Sequence, residues 1–295
     1  MNCRSKYQFN RVNHDVPCPV CLHDHWCMIS QYGERAVCCR VESDWPAPAF
    51  SGWYHQIPPR GRPSPARIAA VTKPVGPHQV RDFGDLHQQH LDWFDSEQKT
   101  RAAASLGLDP CVFDLYPIGY APTLDSLAIP AMQVTSPKIV GIRYRRIGTS
   151  AGGSKWMCQP ESTAGLLLPT SPPTSGHAIC LLEGPSDTLA AGQIGLHAIG
   201  RWSCGLDSRQ AETLKHYLAD CEQPTIFVIG DNDALHTGEK GADAAAELVT
   251  RAIPGAVVLR VQPPMGIKDL REWVVDGGAS AADVLDAGKE VRRGS

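Results

Sequence analysis

The sequence predicts an α/β protein. A Rossmann-like parallel sheet occupies its carboxyl-terminal part, preceded by an α+β region and a small amino-terminal β ribbon. Three observations lead there. Short apolar runs at 179–182, 225–229 and 257–261, rich in Val, Ile and Leu, each have a glycine at or soon after their end, and helical spacing fills the gaps between them. That alternation is the pattern of buried parallel strands joined by helices. Acidic residues follow the runs: Glu183, then Asp231 and Asp233, then Asp269 after a Pro-Pro-Met-Gly turn. Five cysteines crowd between residues 18 and 39.

Bulk properties set the frame. A chain of 295 residues is long enough for two or three compact units. A net charge of −3 means that nucleic-acid binding has to come from local patches. No apolar stretch reaches the roughly 18 residues of a membrane span. The amino terminus lacks the apolar core of a secretory signal, so a cytoplasmic location is expected. Eleven cysteines in a reducing compartment read as one metal site plus ordinary buried thiols.

Cys18 and Cys21 form a Cys-x2-Cys pair, a knuckle that aims two thiolates at one tetrahedral ion. The second pair comes from Cys27, Cys38 and Cys39, or from His23 or His25. Met28–Ser30 and Arg35–Cys39 read as two strands around a Tyr-Gly turn, which returns Cys38 to the knuckle. Arg35, Arg40, Trp26 and Tyr32 suit phosphate and stacking contacts, and equally suit packing. Residues 57–77 hold six prolines and only positive charge, the composition of an extended tether. Apolar residues then recur at helical intervals to Leu106-Gly107. Strands follow at 126–129, 139–145 and 165–168. Arg143 and Arg145, two apart on a strand, share a face.

Carboxylates at the carboxyl ends of parallel strands lie on the ligand-binding edge of such sheets. Clustered like charges repel unless a cation or a shared proton neutralises them, and oxygen-only ligands favour Mg²⁺ or Mn²⁺. Glu183-Gly184 with Asp187, Asp231-x-Asp233, Gly238 with Gly241, and Lys268-Asp269 together resemble the TOPRIM domain of primases and topoisomerases. The stretch from Cys18 to Ser43 resembles the zinc ribbon of bacterial and phage-type DNA primases, with Cys18, Cys21, Cys27 and Cys38 as the implied ligands. The middle region resembles the amino-terminal lobe that precedes TOPRIM in those enzymes.

The resemblance implies four segments: ribbon at 1–56, proline-rich linker at 57–80, primase lobe at 81–176 and TOPRIM at 177–295. It implies a nucleotidyltransferase that makes short RNA primers on single-stranded DNA from nucleoside triphosphates. Asp231, Asp233 and Asp269 would hold magnesium or manganese, and Glu183 would bind metal or act as general acid or base. Asp187 would support the metal ligands or cap its helix. Arg143, Arg145, Lys155 and Lys268 would contact phosphates. No phosphate-loop motif is present, so a replicative helicase is expected to be a separate partner. The competing readings are a TOPRIM nuclease and a non-catalytic DNA-binding or helicase-loading protein.

Overall fold

A computed structural model of the chain describes residues 9–13, 15–24, 27–41, 43–47, 52–57, 80–134, 138–148, 155–174, 176–203, 205–233 and 237–290. Nearly all of the proline-rich segment, the glycine turn at 152–154, His25, Trp26, His236 and residues 291–295 lie outside them. The chain forms two compact units, one of residues 1–81 with 149–162, the other of 82–148 with 163–295.

The first unit holds a small antiparallel sheet. Its strands are β1 (Phe9–Arg11), β2 (Met28–Ser30), β3 (Arg35–Cys38), β4 (Pro46–Ala47) and β5 (Gly52–Gln56), in the order β1-β2-β3-β5-β4. The β2–β3 turn is held by Ser30, whose hydroxyl accepts from the Glu34 and Arg35 N–H groups, both at 3.0 Å. Buried Val12, Cys18, Cys27, Cys38 and Cys39 make up the core beneath, with Val20 and Cys21 at its margin. So few apolar side chains cannot offset the chain entropy of a fold this small, which points to a bound metal as the missing stabiliser.

The second unit opens with helices α1 (Gly84–Asp92) and α2 (Ser96–Leu106). Asp95 starts α2 with a capping box, accepting from the Gln98 backbone while the Gln98 side chain accepts from Asp95. Gly107 ends the helix in the left-handed region, at φ 71°. Strands β6 (Gly119–Ala121), β7 (Ser126–Gln133) and β8 (Lys138–Arg146) form an antiparallel meander with a bulge between Ala131 and Met132. Strand β9 (Trp156–Cys158) belongs to the segment grouped with the first unit. Then come β10 (Leu166–Leu167), β11 (Ala178–Glu183), α3 (Pro185–Gln193), β12 (His197–Arg201), α4 (Ser208–Tyr217), β13 (Thr225–Ile229), α5 (Thr237–Ala252), β14 (Val257–Val261), α6 (Leu270–Val275), α7 (Ala281–Asp286) and β15 (Lys289–Glu290).

Strands β14, β13, β11 and β12 lie side by side and parallel. Antiparallel β10 joins β12 to β7, so one mixed sheet carries both the meander and the parallel strands. Ile179, Leu181, Ile199, Ile226 and Val228 face Leu214 of α4 and Ala242, Ala245, Ala246 and Val249 of α5. Small alanines on α5 let that helix lie close to the sheet.

A Cβ at Gly107 would fall 2.7 Å from the Val275 side chain in a backbone conformation that L-residues avoid. Gly107→Ala should therefore lower stability by about 1–2 kcal/mol, read as a lowered unfolding midpoint with unchanged far-ultraviolet circular dichroism.

Candidate active site and thiol centre

In the first unit the Sγ atoms of Cys18, Cys21, Cys27 and Cys38 all lie within 4.8 Å of one another. Cys21 and Cys27 are 3.6 Å apart, and Cys27 and Cys38 are 3.9 Å apart. A tetrahedral zinc ion with Zn–S bonds of about 2.3 Å spaces its sulfurs about 3.8 Å apart. The four thiols thus match zinc in number, element and spacing. Cys39 and His23 fall outside the set.

Donors surround the sulfurs. The Arg40 and Val41 N–H groups point to Cys38 Sγ at 3.4 and 3.3 Å. The Arg40 guanidinium points to Cys27 Sγ at 3.5 Å and Cys21 Sγ at 3.8 Å, while its Nε donates to the Ser162 carbonyl. Four thiolates around Zn²⁺ leave two negative charges, and Arg40 offsets one of them. Arg40 is therefore buried against the thiols rather than presented to a phosphate.

In the second unit the acidic residues gather at one sheet edge. Glu183 is the last residue of β11, Asp231 and Asp233 follow β13, and Asp269 caps α6 after β14. Chain order reverses across the sheet between β11 and β13, the position beyond whose carboxyl ends open α/β sheets bind their ligands. Asp187, on the first turn of α3, is buried and accepts the Arg271 N–H at 2.9 Å, tying α3 to α6.

These carboxylates feel one another. Burial pushes Asp231 up to about 7, and Glu183 and Asp269 add to the rise, while Lys268 and Arg201 oppose it. Burial, then the charges of Asp231 and Asp269, hold Asp187 well above the carboxylate range. Lys268 is raised by its hydrogen bond to Asp269, at 3.1 Å. Asp233 is held differently, accepting the Gly238 N–H at 2.6 Å. A Cβ on Gly238 would meet the Asp231 carbonyl at 2.7 Å, so only glycine lets α5 start this close to the acidic turn. Among the described residues only the cysteine set brings its ligand atoms all within 4.8 Å. The acids sit farther apart than the thiols, yet close enough to perturb each other's ionisation. Clustered carboxylate oxygens are the donor set of a hard divalent cation.

The other sequence-identified residues are placed variously. Arg143 donates to the Trp202 carbonyl at 2.8 Å. Arg145 is buried, and burial with the neighbouring Arg271 lowers it to about 10. Lys155 is exposed and belongs to the first unit.

Three residues at this edge escape the sequence reading. Asn232, the middle of Asp-x-Asp, fastens the two acid-bearing loops together. Its N–H donates to the Lys268 carbonyl at 2.6 Å, and its amide donates to Pro263 at 2.9 Å and Ile267 at 2.7 Å. Gln262 donates to the Asn232 side chain at 2.6 Å and to the Asp231 carbonyl at 3.0 Å. Arg201 is the third: the sequence reading places no strand at 197–201, although an arginine closing an apolar run is itself a signal.

Two outcomes are expected. Cys38→Ser should lower zinc content from about one ion per chain to a small fraction, measured by metal analysis after dialysis. Asp231 gives a pH signature in cation-stripped protein. Its folded value of about 7 lies above the usual 3.8, so its contribution to stability is full below about pH 4 and is lost as pH rises through 7. Native protein should therefore lose stability relative to Asp231→Asn over that window, measured by thermal melts across pH.

No protein-family model matches the chain, and no curated protein does. Solved structures do resemble it. One is the DnaG primase catalytic domain bound to single-stranded DNA, at TM-score 0.52 and 14% identity, over 70% of this chain and 78% of that one. A second is the Aquifex aeolicus primase with its zinc-binding and RNA polymerase domains, at 0.51 and 18%, over 93% and 78%. A third is the RNA polymerase domain of Mycobacterium tuberculosis primase DnaG with a double-stranded DNA oligomer, at 0.51 and 15%, over 70% and 79%. The chain thus has the α/β fold of primase catalytic domains, preceded by a four-cysteine cluster able to hold zinc.

Proposed function

We propose that this chain is a DNA-directed primase that synthesises short RNA primers on single-stranded DNA. The observation that carries the reading is the set of mutually perturbed carboxylates beyond the carboxyl ends of β11 and β13. A pure DNA-binding surface gains nothing from negative charge facing an anionic ligand, whereas a metal-dependent phosphoryl-transfer site requires it.

In the proposed reaction a primer 3′-hydroxyl attacks the α-phosphorus of a nucleoside triphosphate and pyrophosphate leaves. Glu183, Asp231, Asp233 and Asp269 would hold magnesium or manganese, which supplies charge neutralisation and alignment of the reacting oxygens. Glu183 would hold metal or move a proton at the attacking oxygen. Asn232 and Gln262 keep the Asp231 and Lys268-Asp269 turns in register, so the acids meet the substrate without first reorganising. Lys268, exposed beside Asp269, would meet a triphosphate oxygen. Arg143, Arg145 and Lys155 are assigned to the template and triphosphates, where charge-assisted hydrogen bonds suit phosphate.

The cysteine cluster would hold a structural zinc in a ribbon that contacts template. The TOPRIM assignment of the parallel-sheet domain, the segment boundaries at 56, 80 and 176, a phage- or plasmid-type origin, a cytoplasmic setting and a separate helicase belong to the same proposal.

The test is templated synthesis. Purified protein, mixed-sequence single-stranded DNA, labelled ribonucleoside triphosphates and Mg²⁺ or Mn²⁺ should yield short labelled oligonucleotides. The Asp231→Ala/Asp233→Ala protein should yield at least about 100-fold less, the scale on which removing a charge-stabilising group acts. Cutting of labelled DNA in place of synthesis would make the protein a nuclease. DNA binding with neither activity, even when a replicative helicase is supplied, would make it a binding module.

A further inference from the structure

Arg201 is the largest side chain in the fully buried interior, at 0% exposure. It ends β12, where it is the register partner of Glu183. Partners on neighbouring parallel strands send their side chains to the same face, so the guanidinium and the Glu183 carboxylate leave the sheet together. Strand β11 lies between β12 and β13. Arg201 nevertheless donates from Nη2 to the Ile229 carbonyl, at the end of β13, at 3.0 Å. Its side chain therefore passes across the end of β11. At its other end, the Arg201 carbonyl accepts the Gly184 N–H at 3.1 Å. One residue thus grips both acid-bearing turns, Glu183-Gly184 through its backbone and Ile229-Gly230-Asp231 through its side chain.

A guanidinium stays ionised at any ordinary pH, and burying it is tolerable only beside negative charge. The carboxylates at this edge provide it. The reciprocal effect is visible at Asp231, where Arg201 opposes the rise caused by burial and the other acids.

We propose that Arg201 is a positioning residue of the acidic site, a resident cation that clamps the Glu183 and Asp231 turns together and offsets one carboxylate charge. The inference rests on the reading of Glu183 and Asp231 as paired carboxylates of one site. It does not depend on primer synthesis, and neither does its test.

The experiment is a double-substitution cycle read by thermal unfolding of the full chain at neutral pH without divalent cations. Arg201→Met should lower the midpoint by roughly 10 °C, the scale expected when one partner of a buried charge pair is removed. Arg201→Lys, which keeps the charge but not the fork geometry, should show only about half of that loss. Asp231→Asn should raise the midpoint of the Arg201→Met protein clearly more than it raises that of the native protein. If Arg201→Met does not fold, a cooperative melt restored by adding Asp231→Asn supports the proposal equally. Equal gains from Asp231→Asn in both backgrounds, no rescue of an unfolded Arg201→Met protein, or a Lys substitution as damaging as Met would overturn it. A protein that passes this cycle yet makes no primers would leave the clamp standing and remove only the primase reading.

Discussion

Like charge held at one sheet edge is the constraint on which the rest of the second unit depends. Glu183, Asp187, Asp231 and Asp269 come from three different strand ends and one helix, and Glu183, Asp231 and Asp269 each make ionisation of a neighbouring carboxyl harder. Nothing in local chain preference would hold such a group together. Convergence is imposed by four parallel strands that stop at one level, with the hydrophobic face beneath α4 and α5 supplying the driving force. Burial of Ile, Leu and Val on β11, β12 and β13 thus fixes where the acids must stand, against their mutual repulsion.

The polar groups around the acids make that placement tolerable. Asn232 and Gln262 donate to carbonyls of the loops that follow β13 and β14 and so hold those loops together. Gly238 carries no Cβ to push α5 off the Asp231 turn. Lys268 sits at the exposed side of Asp269, while Arg201 lies below the strand ends, so positive charge reaches the cluster from both solvent and interior. In a low-dielectric setting such fixed partners count for more than the same groups would in water.

The first unit solves a different problem by similar means. Its core is mostly sulfur, and four thiols too close to ionise independently form a set able to hold a cation, with Arg40 beside them. Metal–ligand bonds would replace the apolar area that a short ribbon lacks. Both sites therefore gather anionic ligands around a cation requirement and add one buried arginine. They differ in softness: sulfur donors suit zinc, and carboxylates suit a hard ion.

Much of this was legible in one dimension. The strands at 178–183, 225–229 and 257–261 announce themselves because a buried strand needs an unbroken apolar run, and the stop of α2 at Gly107 follows from the left-handed cap. The knuckle of Cys18 and Cys21 is a local spacing, so it too can be read directly. The placement of Glu183, Asp231, Asp233 and Asp269 at one edge follows from their positions after those strands. Asn232 and Arg201 were not legible as part of the site, because each acts on groups about 30 residues or more away in the chain. Nor could the sequence tell that Arg40 turns inward to the thiols, or that β7 and β8 share a sheet with β11, since short β10 makes that connection. Sequence by itself determined the apolar strands at 179–182, 225–229 and 257–261, the Cys18–Cys21 knuckle and the candidate acids, because those depend on periodicity and neighbour spacing. Only the tertiary structure decided which buried arginine and which amide meet the acids, because those contacts are set by strand order and register rather than by distance along the chain.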